Sequence, residues 1–593
     1  MLKHGVCLFV VLLLAGLLSA SQRPNVVLIV TDDQGYGDVS AHGNPELQTP
    51  NLDALHRQSL RLTDFHVDPT CAPTRAAVMT GKYSHHAGVW HTVRGGNHLR
   101  RGEVTMAEVF KENGYATALF GKWHLGANYP YRPMDRGFDE WLGIGDGGPG
   151  TSDDYFWNDR VNDVYWHNGE QVHREGYNPD VFFDAALDYI KGYNEPNPFF
   201  VYLPTYAPHD PCTLPDPGLA NKYLDAGTPK GRALFYAMIE RVDQNVGKLL
   251  ETLDGQGLAD DTIVIFMTDN GSTHGRSSFN AGMSGGKGST QDGGHRVPCF
   301  IRWPSGDLGE ARDIDTLSAH IDLLPTLTEL CGLELHKKID FDGTSLVPLM
   351  KEEESDWPER TLFVEVQRKA EYEKGWRSAV LTQRWRLLSL DELYDIKADP
   401  AQKNNVSAEY PEVVEQLRKR FDDYWALVTP EDRVFPLPIV GTEFDEEVYL
   451  GVSELREGTL WNHAHTASGK PISGLWHFEV ETPGAFEIEI RRWPKEVDGG
   501  TISGVPPVTK TVDAWDYGPK THLLYGDEFV ALPIKEAYLR VGDVSDSKQV
   551  TVSDESLVFE VELGKGLHEL DAIFLDEAGK RLTSAYHVYI RRR

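Results

Sequence analysis

Apolar runs of strand length alternate with segments of helical periodicity from Pro24 to about Leu349. That rhythm predicts a mostly parallel sheet covered by helices on both faces, an α/β core. Four of the runs end directly in polar side chains. Asn25 to Thr31 stops at Asp32 and Asp33, and Thr262 to Thr268 stops at Asp269 and Asn270. Ala116 to Phe120 leads into Gly121, Lys122 and His124, and Phe199 to Leu203 leads through a proline-containing loop to His209. Ligands of open parallel sheets bind beyond the carboxyl ends of the strands. These four endings are therefore expected to converge on one site, although they lie far apart in sequence.

The pattern then changes twice. Arg360 to Val428 predicts a smaller α+β subdomain, with short strand-like runs near Phe363 and Leu387 and a turn at Asp399 and Pro400. An amphipathic helix follows, its apolar face formed by Val413, Leu417, Phe421 and Tyr424. After Pro436 and Pro438 the period becomes two. Trp476, Phe478 and Val480 alternate with His477 and Glu479; Phe486, Ile488 and Ile490 alternate with Glu487 and Glu489; Tyr586, Val588 and Ile590 close the chain. Alternation of this kind between Gly and Pro turns predicts an antiparallel β-sandwich. The expected organisation is a catalytic unit over residues 24–350, a small unit over 351–432 and an all-β extension of unassigned role over 436–593.

A chain of 593 residues exceeds what one hydrophobic core sustains, in keeping with several units. The net charge of -32 argues against a nucleic-acid or anionic-membrane partner, since both need an extended basic surface. An anionic substrate would need positive charge concentrated locally. Lys3 and His4, an apolar run from Val6 to Leu18 and small residues at Ser19, Ala20 and Ser21 read as a secretory signal peptide over residues 1–20. The run is short for a bilayer span, so the mature chain is expected to be secreted or periplasmic, without a membrane anchor. Cys71, Cys212, Cys299 and Cys331 remain, too few for a disulfide scaffold. One bridge among the last three stays open, and no CxxC pair supports a zinc ribbon.

The most informative segment runs from Cys71 through Pro73 and Arg75 to Thr80 and Gly81. Pro73 suits the first turn of a helix and Gly81 its end. Cys71 would then sit at or just before a helix N-terminus, where unpaired amides favour an anion, with the Arg75 charge one turn on. Asp32, Asp33, Asp269 and Asn270 offer only side-chain oxygens, the ligand set of a hard cation and not of zinc.

Cys71-x-Pro73-x-Arg75, with Thr80-Gly81 downstream, resembles the C-x-P-x-R signature of the type I, formylglycine-dependent sulfatases of the alkaline-phosphatase-like superfamily. Thr31-Asp32-Asp33 and Thr268-Asp269-Asn270-Gly271 are similar to that family's metal segments. Gly121-Lys122-Trp123-His124, Ala207-Pro208-His209 and Gly285-Gly286-Lys287-Gly288 resemble its cationic segments. The resemblance spans about Pro24 to Val428 and leaves the β extension outside. It implies that a separate formylglycine-generating enzyme oxidises Cys71 to 3-oxoalanine, whose hydrate attacks sulfur. It further implies Ca²⁺, with Mg²⁺ the runner-up, held by Asp32, Asp33, Asp269, Asn270 and residue 71. On the same mapping Arg75 steadies the diol, and Lys122 and Lys287 hold the sulfuryl group. His209 protonates the leaving oxygen, His124 takes the proton that releases sulfate, and Asp269 helps to deprotonate the attacking hydroxyl.

The expected substrate is a sulfate ester, of a small molecule or more aptly of a saccharide. The rival readings are a phosphonate or phosphate ester hydrolase on the same fold, and an inactive carbohydrate-binding relative. Arg296, in Gly293-Gly294-His295-Arg296-Val297-Pro298, reads as structural, and Glu392-Leu393-Tyr394-Asp395 as a packing element. Tyr83 to Leu99, with His85, His86, Trp90, His91, Arg94 and His98, reads equally as a set of sugar subsites or as packing near the helix end.

Overall fold

A computed structural model describes residues 23–352, 357–369, 372–430, 435–516, 518 and 520–593. The expected leader at residues 1–20 lies outside the described residues, as does the expected boundary near residue 432. Among the described residues no helix is long and apolar enough to cross a membrane.

The catalytic unit is built on a 10-stranded sheet. Its middle is five parallel strands in the spatial order Thr262–Thr268, Asn25–Thr31, Phe199–Pro204, Ala116–Lys122 and Glu140–Ile144. Antiparallel partners flank them, Cys299–Arg302 on one side and Val164–His167 on the other. Both faces are covered, which is why the strands read as unbroken apolar runs. In the strand Asn25–Thr31, Val26, Leu28 and Val30 enter one core while Val27 and Ile29 enter the other. Register aligns the strand ends: Thr31 pairs with Thr268, and Val30 with Pro204. The residues that follow these strands emerge side by side.

The small unit is a 4-stranded antiparallel sheet of Leu362–Glu365, Ser378–Leu381, Trp385–Leu388 and Glu392–Asp395. Helix Pro411–Val428 packs on it through buried Val414, Leu417, Phe421 and Tyr424, with Val413 half-buried beside them. The C-terminal part pairs a 6-stranded sheet with a 4-stranded one around a shared core that includes Trp476, Phe478, Phe486, Ile488, Phe559 and Ile590. It is a sandwich as the alternation predicts, but it is not a free appendage. Thr151 bridges to Asn462 and Leu214 to Trp515, and His98 pairs with Glu454 at 3.1 Å. Cys71, Cys212, Cys299 and Cys331 are all buried free thiols, so the bridge left open by the sequence is absent among the described residues.

Close backbone approach fixes the strand carrying Lys122. A Cβ at Gly121, where φ is +137°, would stand 2.1 Å from the Pro204 carbonyl oxygen. At Gly114, also at positive φ, nothing lies within 4 Å of an added Cβ. G114A should therefore cost only the left-handed backbone penalty of about 1–2 kcal/mol. G121A should lower the thermal unfolding midpoint clearly further and reduce turnover, because the strand ends must separate. Equal shifts for the two variants would show that this approach is not the constraint.

Candidate active site

Cys71 opens the helix Cys71–Thr80, whose N-cap Thr70 is extended and makes no side-chain cap. Gly81 closes it in the left-handed region at φ 65°, the conformation for which glycine is the usual C-terminal residue. The first-turn amides thus face the site without a side-chain acceptor from Thr70, and the Cys71 thiol lies with them, 3% exposed. Burial pushes this thiol's pKa up.

Arg75, one turn on, is wholly inside the protein. Its guanidinium donates to the Lys122 carbonyl at 3.0 Å and to Asp269 at 2.7 Å, and reaches Asp32 at 3.5 Å. Lys122 Nζ donates to the same Asp32 oxygen at 2.6 Å. On the other side of the site, Asp33 meets Lys287 Nζ at 2.5 Å and accepts from the Asn270 amide at 2.9 Å. Asp269 also accepts from the Asp33 backbone N–H at 3.2 Å. The four separated chain segments converge as the strand directions predict, and one oxygen each from Asp32 and Asp269 lies within 4.8 Å of Cys71 Sγ.

Three carboxylates face three fixed cations here, and burial decides what each does. Burial pushes Asp32 up, but Lys122, His209 and Arg75 outweigh it and hold it well below the usual carboxylate range. For Asp33 burial wins over Lys287, lifting it to about 6. Burial, followed by the neighbouring Asp32 charge, lifts Asp269 to about 7. Burial lowers Lys122 and Lys287, yet their carboxylate partners more than offset it and both are raised. The site is a buried, tightly paired cluster in which two carboxylates, Asp33 and Asp269, are still raised and would be relieved by further positive charge.

The donor set fits a hard cation. Asp32 Oδ1, Asp33 Oδ2 and Asn270 Oδ1 are buried and without a hydrogen-bond partner. Buried acceptors are otherwise nearly always paired, and three unpaired oxygens in one cluster are what a calcium or magnesium ion would take.

The two histidines differ in orientation. His124 Nε2 lies 2.9 Å from the Thr92 carbonyl, which makes it the protonated nitrogen and leaves Nδ1 as an acceptor 3.4 Å from Cys71 Sγ. Burial, then Lys122, depresses its pKa well below the ordinary value, keeping the ring neutral. Its backbone is left-handed at φ 63°, as is that of Asp33 at φ 69°; strain of this kind collects at functional sites. His209 instead turns Nδ1 to the Asp210 carbonyl at 2.7 Å and the Tyr206 hydroxyl at 3.0 Å. Its Nε2 faces Asp33 at 3.8 Å. Burial and Lys287 lower its pKa to about 3.

Above Cys71 opens a cavity of about 280 Å³ lined by Lys122, His124, His209 and Lys287. Thr92, Val93, Asp146, Arg368, Trp461 and Tyr525 also line it; Thr92 and Val93 fall in the Tyr83 to Leu99 segment offered as sugar subsites, and the sequence singled out none of the other four. The Tyr83 to Leu99 loop turns out to be mainly packing. His85, Trp90, His91 and His98 are buried, His86 pairs with Asp342 at 2.9 Å, and Arg94 donates to Thr459 at 2.8 Å. Only its Thr92 and Val93 reach the cavity. Arg296 lies outside the cavity, donating to the Thr63 carbonyl at 2.7 Å.

Comparison with known proteins agrees with this arrangement. The family model described as Sulfatase matches residues 24–333. A second, described as N-sulphoglucosamine sulphohydrolase, C-terminal, matches residues 287–426. Bovine (Bos taurus) arylsulfatase A is 31% identical over 501 residues, covering 75% of this chain and 93% of that protein. Human (Homo sapiens) N-acetylgalactosamine-6-sulfatase is 31% identical over 364 residues, covering 56% and 67% respectively. The crystal structure of Ps i-CgsB in complex with k-i-k-neocarrahexaose superimposes with a TM-score of 0.63 at 28% identity, over 70% of this chain and 95% of that one. With the family model spanning more than half of its length, the chain belongs to the sulfatase family and is a sulfuric ester hydrolase on the alkaline-phosphatase-like fold.

Proposed function

We propose that the chain hydrolyses sulfate monoesters of a carbohydrate, using Cys71 oxidised to formylglycine as the nucleophile and Ca²⁺ as the bound cation. The observation that carries this reading is the cluster of unpaired buried oxygens on Asp32, Asp33 and Asn270 beside Cys71, ringed by Arg75, Lys122 and Lys287. Asp32, Asp33, Asp269 and Asn270, with residue 71, would hold the cation, whose contribution is to offset negative charge on the sulfuryl oxygens. The hydrated aldehyde supplies two hydroxyls at residue 71, one for attack on sulfur and one whose deprotonation expels sulfate.

The protein's own groups then divide the work. Lys122 and Lys287 hold the sulfuryl group as compact charges with several donors, Arg75 fixes the orientation of residue 71, and Asp269 assists deprotonation of the attacking hydroxyl. His124, neutral and with Nδ1 toward residue 71, takes the proton whose loss releases sulfate. His209 donates to the departing sugar oxygen. Burial, and then Lys287, lowers its pKa, so the acid role requires that substrate binding favour the protonated ring. The residues 1–20 are read as an export leader, placing the enzyme outside the cytoplasm.

Leaving-group chemistry tests the His209 assignment. H209A should lose about 10²–10⁴-fold in turnover on a sulfated sugar, whose alkoxide needs a proton, and far less on p-nitrophenyl sulfate, whose leaving group does not. Equal losses would remove His209 from the acid role. A wild-type enzyme that prefers p-nitrophenyl phosphate to the sulfate would favour the phosphoryl-transfer rival.

Cation and modification have their own readouts. Chelator-stripped protein should gain about 2.7 kcal/mol of stability at a Ca²⁺ concentration one hundred times Kd, seen as a thermal shift that N270A and D32N abolish. A hydrazide probe should label the residue 71 peptide in active enzyme. An unmodified thiol in fully active enzyme would end the formylglycine reading.

A further inference from the structure

The cavity over Cys71 is not closed by the catalytic unit alone. Arg368 comes from the small unit, and Ser453, Leu460, Trp461 and Tyr525 come from the C-terminal sandwich. The segment bearing Trp461 is held on both sides. Ser152 donates to the Leu460 carbonyl at 2.8 Å, the His463 N–H donates to the Gly150 carbonyl at 3.1 Å, and Asn462 bridges to Thr151. Leu460 and His463 are buried, whereas the Trp461 side chain between them is 42% exposed. A large indole at the cavity wall, on a backbone fixed on both sides, offers a flat apolar face. The C–H face of a pyranose ring matches such a surface.

Arg368 carries the second observation. Its guanidinium stands beside Gly288, next to Lys287, with Arg377 close on the same glycine. Arg377 donates to the Gly288 carbonyl. Among the described residues neither arginine forms an ion pair with a carboxylate. Two neighbouring guanidinium groups that stay charged at all working pH repel one another unless an anion lies between or beside them. Lys122, Lys287 and the cation proposed above are assigned to the scissile sulfate, which leaves Arg368 as a further cation on the wall of the same cavity.

We propose, resting on the sulfatase reading above, that the substrate is a polyanionic saccharide whose sugar ring packs on Trp461 while a second anionic group pairs with Arg368. The second group is a sulfate or a carboxylate, both of which suit the planar guanidinium fork. The sandwich is thus part of the substrate site, and the small unit reads the charge next to the ester that is cut.

Full-length enzyme turning over p-nitrophenyl sulfate provides the test, with three competitors: a monosulfated disaccharide, a disulfated disaccharide and a monosulfated disaccharide containing a uronate. The disulfated or the uronate competitor should bind wild type about tenfold more tightly than the plain monosulfated one, as one added charged hydrogen bond predicts. Which of the two does so identifies the second anion. R368Q should erase that preference. W461A should raise the Ki of all three by about three- to tenfold, and W461F should recover most of it, which separates lost stacking from misfolding. No preference in wild type, a preference that survives R368Q, or Ki values indifferent to W461A would each overturn the proposal. Absence of sulfate-ester turnover in untreated wild type, when a parallel sample shows the residue 71 aldehyde by hydrazide labelling, would instead sink the formylglycine reading beneath it.

Discussion

The catalytic centre depends on burying three carboxylates and three cations together at the carboxyl ends of parallel strands. Arg75 is the hinge of that cluster, because one guanidinium joins the nucleophile helix to Asp32, Asp269 and the Lys122 carbonyl. A buried ion pair repays its desolvation only when its geometry is good and its remaining donors and acceptors are satisfied. Here Lys122 Nζ and the two terminal nitrogens of Arg75 find partners, but Arg75 Nε and one oxygen each of Asp32, Asp33 and Asn270 do not. Oxygens of this kind suit a divalent cation, the group of right charge and hardness for the role proposed above.

Much of this was legible in the chain because parallel topology turns strand endings into neighbours. Asp32, Lys122, His209 and Asp269 each follow an apolar run, and strand direction alone brings them to one edge. The nucleophile helix was equally readable, since Pro73 and Gly81 punctuate it. The periods of 3.6 and two also separated the small unit from the sandwich. What could not be read was anything set by docking between units. Trp461 and Tyr525 sit in stretches with no periodic signal, and the residues that seat them, Gly150 and Ser152 bonded to the neighbours of Trp461 and Asp210 bonded to Tyr525, lie some three hundred residues earlier. Trp90 and His98 mislead for the converse reason: aromatic and imidazole side chains near a site look functional, yet both are buried, Trp90 donating to the Lys369 carbonyl of the small unit and His98 pairing with Glu454 of the sandwich.

The histidines show how environment divides roles between two side chains of one type. His124 is locked by a backbone carbonyl on Nε2, so its free nitrogen points at residue 71 and nowhere else. His209 is locked through Nδ1, so its Nε2 points across the cavity floor toward Asp33. Both rings are neutral by burial. They differ in what they face: His124 Nδ1 faces Cys71 Sγ, whereas His209 Nε2 faces Asp33.

Chemistry and recognition thus occupy different layers of the same cavity. The floor is made of strand endings whose positions the ten-stranded sheet enforces, and changing them would disturb buried charges. The walls come from the small unit and the sandwich, reached by loops such as Leu460 to His463 that touch the catalytic unit through a few backbone hydrogen bonds. A wall built this way can change its side chains without disturbing the buried ion cluster. On the reading proposed above, one sulfuryl-transfer floor could therefore serve sugars of different charge and linkage, with the selecting groups supplied by parts of the chain that take no part in bond breaking.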